Sequence, residues 1–325
     1  DGNKWNKIGA PEHSITFAPY NLGADPAYDT PKKQIEYLAA CSATDAIKVY
    51  GDLYQWGRVA DGHEKRNSTT YSGPLTVPDD VDGNGQPNGT SGAIGKFITI
   101  SGASDNWLTT PKHDLWGNGE SLVGQTDNQG GVLYTDGKYY QNTDWTISAS
   151  NPCASMGAGW RVPTQDEWER LINYDGDPVT VGGDITMDAT GQANSSANSA
   201  PLTWVPVAGG IASTNWETDT EQKLGGYAVY KTADWDDAAA ADYKNGIKNL
   251  YETAAPEPIL FLPATGYRTG GGSVSEGGNI GYYWSSTVDT FNGEDVSYSF
   301  FGDIHGLSFW QDIRVFGDAV RCVKE

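Results

Sequence analysis

Apolar and polar positions change their spacing several times along this chain, and each change marks an element. Residues 14–23, "SITFAPYNLG", alternate and predict a strand. In "TPKKQIEYLAACSA", Thr30 stands as a cap, Pro31 takes the first helical position, and Ile35, Leu38 and Ala39 recur at helical spacing, so a first helix is expected. "VYGDLYQWGR", Val49 to Arg58, is aromatic-rich and reads as a strand. Residues 59–145 lose any period. Gly, Asn, Asp, Ser and Thr dominate there, which predicts structured loops and short strands anchored by Trp107, Trp116 and Trp145.

The tightest local specification is "GWRVPTQDEWERLI", Gly159 to Ile172. Trp160 and Val162 suit a short strand that Pro163 ends. Thr164 and Glu167 form a capping box, in which each side chain reaches the other's backbone amide. Trp168, Leu171 and Ile172 then lie on one apolar stripe of a helix. Asp166, Glu167 and Glu169 favour the positive end of that helix, so these carboxylates have a structural role. Farther on, "MDATGQANSSANSAP" reads as a polar loop, "LTWVPVAGGI" and "GYAVY" as strands, and "DWDDAAAADYKNGIKNLYE" as a surface helix within an insertion. From Ile259 onward, "ILFLPATGYR", "YYWSST", "VSYSFF", "LSFW", "IRVFG" and "AVRCVKE" follow one another as short strands, the pattern of an antiparallel meander.

Composition narrows the functional classes. Only 38% of the 325 residues are hydrophobic, but 12 Trp, 18 Tyr and 8 Phe supply large apolar surfaces. The 41 Gly and 16 Pro favour turns over long helices. A net charge of −21 opposes binding to nucleic acid or to anionic membrane surfaces, and keeps an exposed protein soluble. No run of about 18 apolar residues is present to span a bilayer. The polar start "DGNKWNKIG" shows no signal peptide, and Asp1 reads as a mature or trimmed boundary that a leader could precede. The three cysteines, Cys41, Cys153 and Cys322, form no CxxC pair, against a zinc site or thioredoxin-type chemistry. Cys153 and Cys322 are expected either to bridge or to stand as two buried thiols, and Cys41 reads as a small apolar residue on the first helix.

Four motifs in order, "GWRVPTQDEW", "FLPATGYR", "GYYWSST" and "GDAVRCVKE", resemble the Fibrobacter succinogenes major paralogous domain, a family of Bacteroidetes surface proteins. "YNLGADPAYDTPKKQIEYLA" and "VYGDLYQWGR" are similar to the N-terminal half of the same architecture. The resemblance implies an α+β C-type lectin-like fold, with two helices flanking a small twisted antiparallel sheet. It implies a single domain over residues 1–325, with long loop insertions at about 60–145 and 175–255. Pro163 to Tyr174 would be the second helix. "GYYWSST…IRVFG…VRCV" is also similar to the C-terminal repeat of retroelement-diversified variable proteins, where the stretch between those motifs holds the variable positions. Location in the secreted or outer-surface space follows, with anchoring through a region outside this chain.

The same fold serves formylglycine-generating enzymes, which share the R-x-P-T-x-x-E-W element but need two neighbouring cysteines. Here Cys322 is the one thiol near the C-terminus, so that active site is expected to be missing. His13, His63, His113 and His305 show no ligand spacing, and no nucleophile elbow, phosphate loop or dinucleotide fingerprint occurs. Carboxylates are many, yet nothing singles out a glycosidase-like pair. "DVDGNG" matches the first half of a calcium loop through Asp80, Asp82 and Asn84, but Ser91 stands where the closing Glu belongs, and a plain turn is the favoured reading. No cofactor is expected beyond that calcium option.

The expected function is therefore non-enzymatic capture of an extracellular protein or glycan. Alternatives are an oxidase or hydrolase on the same fold, or a structural subunit of a surface appendage. Alternation in "VSYSFFGDIHGLSFWQDIR" would turn Val296, Tyr298 and Phe300 inward and Ser297, Ser299 and Phe301 outward. Asp303, His305, Phe309, Trp310, Gln311, Asp312 and Arg314 complete the expected recognition face, a mixture of aromatic, amide and guanidinium groups that hot spots use.

Overall fold

The computed structural model describes residues 16–101, 106–109, 145, 150–165, 167–168, 185–186, 202–208, 224–231, 258–291, 294–303 and 306–324. The first strand, β1 (Thr16–Phe17), is shorter than the alternation of 14–23 predicts. Pro19 has no amide to continue a ladder. The chain beyond it holds the tail by single bonds, Ala18 N–H to the Cys322 carbonyl and Leu22 N–H to the Val320 carbonyl, both 2.8 Å. Helix α1 (Pro31–Ala40) starts where Thr30 and Pro31 place it, with the Thr30 hydroxyl accepting from the Lys33 amide. Its buried face is Gln34, Ile35 and Leu38.

"VYGDLYQWGR" departs from its strand reading. It divides into a short helix α2 (Ile47–Tyr50) and strand β2 (Tyr54–Gln55). Gly51 makes the break: its φ is +74°, and a Cβ there would lie 2.6 Å from the Leu22 carbonyl oxygen. Residues 51–58 are buried throughout, and periodicity cannot separate a wholly buried strand from a helical turn.

The polar stretch after it folds inward more than its composition suggests. Strands β3 (Thr70–Ser72) and β4 (Phe97–Thr99) pair in parallel. Leu75, Val81, Ala93, Phe97, Ile98, Trp107, Leu108 and Trp145 are all buried. Trp116 lies outside the described residues.

The capping box forms as expected. Thr164 Oγ1 accepts from the Glu167 amide at 3.1 Å, and a Glu167 carboxylate oxygen accepts from the Thr164 amide at 2.8 Å. Arg161 grips the same carboxylate with two bonds of 2.7 and 2.6 Å. Gln165, Glu167 and Trp168 are helical. Leu171, Ile172 and the "DWDDAAAADYKNGIKNLYE" segment lie outside the described residues.

Among the described residues, four further sheets carry the rest. Strand β5 (Ile185–Thr186) edges a four-stranded sheet whose other members are β11 (Gly281–Phe291), β12 (Glu294–Asp303) and β13 (Gly306–Ile313), in the order β11-β12-β13-β5. Strands β6 (Leu202–Ala208), β7 (Leu224–Lys231) and β8 (Leu260–Pro263) form a second sheet. A third has the order β10-β9-β14-β2, with β9 at Tyr267–Arg268, β10 at Val274–Ser275 and β14 at Gly317–Asp318. The last strand, β15 (Val323–Lys324), pairs with β1, and Val323 also exchanges two backbone bonds with Arg161. The architecture is mixed α+β, with few helices and several small antiparallel sheets beside the parallel β3–β4 pair. Among the described residues, no helix is long and apolar enough to cross a membrane.

Cys153 and Cys322 are joined by a disulfide, which settles the two alternatives left by the sequence. Arg321, beside it, is fully buried and donates to the carbonyls of Ala18 and Phe261 and to the Asn21 side chain. The tail is thus held covalently, by a ladder and by a guanidinium whose donors meet fixed acceptors.

Candidate functional site

The β11–β12–β13 sheet has two faces, and register assigns residues to each. Tyr282 pairs with Phe301 and Trp284 with Ser299; across the other edge of β12, Phe301 pairs with Ser308, Ser299 with Trp310 and Ser297 with Asp312. Directly opposed residues share a face. One face therefore carries Tyr282, Trp284, Ser297, Ser299, Phe301, Ser308, Trp310 and Asp312. The other carries Tyr283, Phe300, Leu307, Phe309 and Gln311. That second face is core: Trp168 stacks on Phe300 at 4.8 Å and 10°, and Gly302 leaves room for the Tyr227 ring, which a Cβ would meet at 2.6 Å.

The outward reading of Ser297 and Ser299 is corrected. Both are fully buried, Ser299 against the Asp318 side chain and Ser297 against the Arg314 guanidinium. Ser299 Oγ donates to Asp318 Oδ2 at 2.8 Å, and Ala319 exchanges backbone bonds of 3.0 Å with Tyr282 and Trp284. Arg314 is likewise interior. Its guanidinium lies 4.4 Å over the Trp56 ring and donates to Ser297 Oγ and the Val296 carbonyl, each at 3.0 Å. Phe309 belongs to the core beside Phe300, and Asp312 is buried. Gln311 is half-buried on the core-facing side. Asp303 ends β12; its side chain and His305 lie outside the described residues.

What remains open to solvent is aromatic. Trp310 is 58% exposed, an unusual state for a tryptophan on a strand. Phe301 is its diagonal neighbour on β12, about 7–8 Å away by sheet geometry. Phe301 stacks on Tyr282 at 5.5 Å, Tyr282 meets Tyr267 at 5.0 Å, and Tyr267 meets Phe316 at 5.7 Å. All four of these rings are half-buried. They form a rim where the β9–β14 sheet meets β11 through the Gly266–Gly281 and Tyr283–Ala319 bridges. Tyr267, Tyr282 and Phe316 were missed as site residues. Their signal was present in the motifs "GYR", "GYY" and "VFG", where aromatics stand next to glycines at sheet turns.

Behind the rim sit two carboxyl groups. Burial pushes Asp312 up to about 7 and raises Asp318 well above the carboxylate range, where the Asp312 charge adds to burial. The Tyr267 hydroxyl is raised too, by burial and then by Glu276, Asp312 and Asp318. A carboxyl with a raised folded-state pKa favours folding in acid and loses that contribution as pH rises through the folded value. Asp312→Asn keeps an acceptor for the Ile313 amide and cannot ionise. Its stability relative to the parent should therefore improve by on the order of 2–4 kcal/mol between pH 4 and pH 8. Urea unfolding at the two pH values reads this difference, and an unchanged gap would mean Asp312 is solvated.

Two candidate metal positions can be judged. Asp80, Asp82 and Asn84 form a turn: Asp82 Oδ1 accepts from the Asn84 and Gln86 amides, and Asp80 Oδ2 from the Thr76 amide. Asp61, His63 and Glu64 bring ligand-type atoms within 4.8 Å of one another. Both His63 nitrogens are already engaged, however, Nε2 accepting from the Gln55 amide at 3.1 Å and Nδ1 donating to Asp61 at 2.8 Å. Burial holds His63 down to about 3, so the ring is neutral. Burial would raise Asp61, but the His63 N–H and the Arg58 guanidinium outweigh it and hold the carboxylate low. Arg58 completes the group through bonds to Asp61, Gln55 and the Lys96 carbonyl. Apart from the Arg58 Nε, the cluster's polar groups satisfy one another and the backbone around them, and it reads as a polar core.

One cavity, of about 10 Å³, lies between Tyr227, Leu262, Tyr283 and Phe300. It has room for about one water and is apolar-walled, so it offers no substrate site. No protein-family model matches the chain, no curated protein aligns with it significantly, and no solved structure resembles it significantly.

Proposed function

We propose that this chain is a non-enzymatic binding protein of the extracellular or cell-surface space, capturing a protein or glycan on the aromatic rim of its C-terminal sheets. The observation that carries this reading is Trp310, 58% exposed on the same sheet face as Tyr282 and Phe301. Exposing a tryptophan forgoes the burial that would stabilise the fold, and ligand contact is a return for that loss. The Cys153–Cys322 bond fits an oxidising compartment. A C-type lectin-like fold is supported by the pairing of β1 with β15, by the bond between the tail and the segment before the capping box, and by the position of the Trp168 helix over the sheet.

Catalysis by the Asp312–Asp318 pair is the weaker reading. Asp318 is fully enclosed and Asp312 nearly so, leaving no room for a substrate bond and an attacking water between them. A screen against glycans and extracellular proteins tests the proposal. Trp310→Ala should weaken capture at least ~10-fold, while its stability stays within about 0.5 kcal/mol of the parent. Ligands that bind the variant as well as the parent would overturn the assignment of this face.

A further inference from the structure

We propose that the partner recognised by this rim is a cationic protein segment, whose Lys or Arg side chains dock against Trp310, Phe301, Tyr282 and Tyr267; this rests on the binding reading above. The first argument is the shape of the aromatic group. Phe301 and Tyr282 lie nearly parallel at 21°, but Tyr267 meets Tyr282 at 61° and Phe316 at 39°, so the Tyr267 end of the group makes a walled corner. A flat sugar ring stacks best on a flat platform. A compact cation gains instead from several ring faces set at angles around it, since each presents its negative quadrupole.

The second argument is charge. The segment from Val288 to Asp318 holds Asp289, Glu294, Asp295, Asp303, Asp312 and Asp318 against one arginine, Arg314. Setting aside the buried Asp312 and Asp318, the segment still carries four carboxylates against one guanidinium. That guanidinium is turned inward over Trp56, and Arg268 of β9 is turned inward over Phe97 at 4.2 Å, where it binds Ser68 and the Lys65 carbonyl. The cations nearest the rim are thus consumed by the core, and the whole chain carries −21. Such a surface draws a basic partner and repels an acidic one.

The third argument is position. Trp310 shares its face and strand with Asp312, two residues away, and lies diagonal to Phe301. A guanidinium laid over the indole would sit within Debye range of Asp312.

The test uses the full chain and three probes: a nonapeptide with three Arg residues spaced by Gly and Ser, its Glu counterpart, and a panel of neutral glycans. Binding of the Arg peptide alone, weakened at least ~10-fold both by Trp310→Ala and by raising NaCl from 50 to 500 mM, is the expected result. Arg-peptide binding that ignores Trp310→Ala would reflect diffuse attraction to an acidic body and would overturn the proposal. Glycan capture abolished by Trp310→Ala, with no Arg-peptide binding, would overturn it and leave the binding reading standing. Failure of every probe to show Trp310-dependent binding would remove both.

Discussion

Replacing Trp168 with alanine should destabilise the protein by about 3–5 kcal/mol, a large part of what a domain has to lose. The indole is fully buried and touches three other rings, Phe300 at 4.8 Å, Tyr283 at 5.7 Å and Phe17 at 5.2 Å. These rings come from β12, β11 and β1, so one side chain joins the capping-box helix to the C-terminal sheet and to the strand that pairs with the tail. Around such a void the neighbours can relax little, because Phe300 and Tyr283 are fixed in strands and Gly302 is already filled by Tyr227. The indole N–H to the Trp284 carbonyl, at 3.4 Å, is long and contributes less than the packing. Urea unfolding of Trp168→Ala against Trp168→Phe separates the effects. Alanine should lose most of the predicted amount, and phenylalanine clearly less. Equal, small losses for both would place the helix outside the core.

Trp168 and its capping box were legible because their logic is local: Thr164, Glu167 and Trp168 lie within five residues. The same is true of Thr30 and Pro31 at α1. Ser297 and Ser299 failed for a different reason. Alternation correctly assigns them to the face opposite Tyr298 and Phe300, but it cannot say what covers that face. Here the side chains of Arg314 and Asp318 cover it, from a segment about twenty residues farther along. Arg314 misled for a related reason, since its charge suggested solvent while the fold offered Trp56, Ser297 and a carbonyl inside. Arg58, Asp61, His63 and Glu64 repeat the lesson, because polar residues that satisfy one another read as a loop in sequence and pack as a core in space. Of the ten residues expected on the recognition face, Trp310 and Phe301 retain solvent contact on the rim side, and the Tyr282 ring that Phe301 stacks on comes from the neighbouring strand β11.

Removing the Cys153–Cys322 bond, by reduction or by Cys153→Ala with Cys322→Ala, should cost about 4–5 kcal/mol in the chain-entropy description. The bridge spans 169 residues, so breaking it frees more than half of the chain to expand when unfolded. The noncovalent hold on the tail is short: two residue pairs in the β1–β15 ladder, the Ala18 and Leu22 amides on the Cys322 and Val320 carbonyls, two bonds between Arg161 and Val323, and the buried Arg321. Each of these contacts is local to the tail and none constrains the unfolded ensemble. Two measurements then identify the mechanism. The urea midpoint should fall, and the slope of the transition should rise because the unlinked chain exposes more surface. Trp310-dependent ligand capture should persist in the double variant below the transition, since the rim is built from β9, β11, β12, β13 and the turn holding Phe316, all upstream of Cys322. A lower midpoint with an unchanged slope would assign the loss to native packing around the two sulfurs, and an unchanged midpoint would show that the ladder and Arg321 hold the tail unaided.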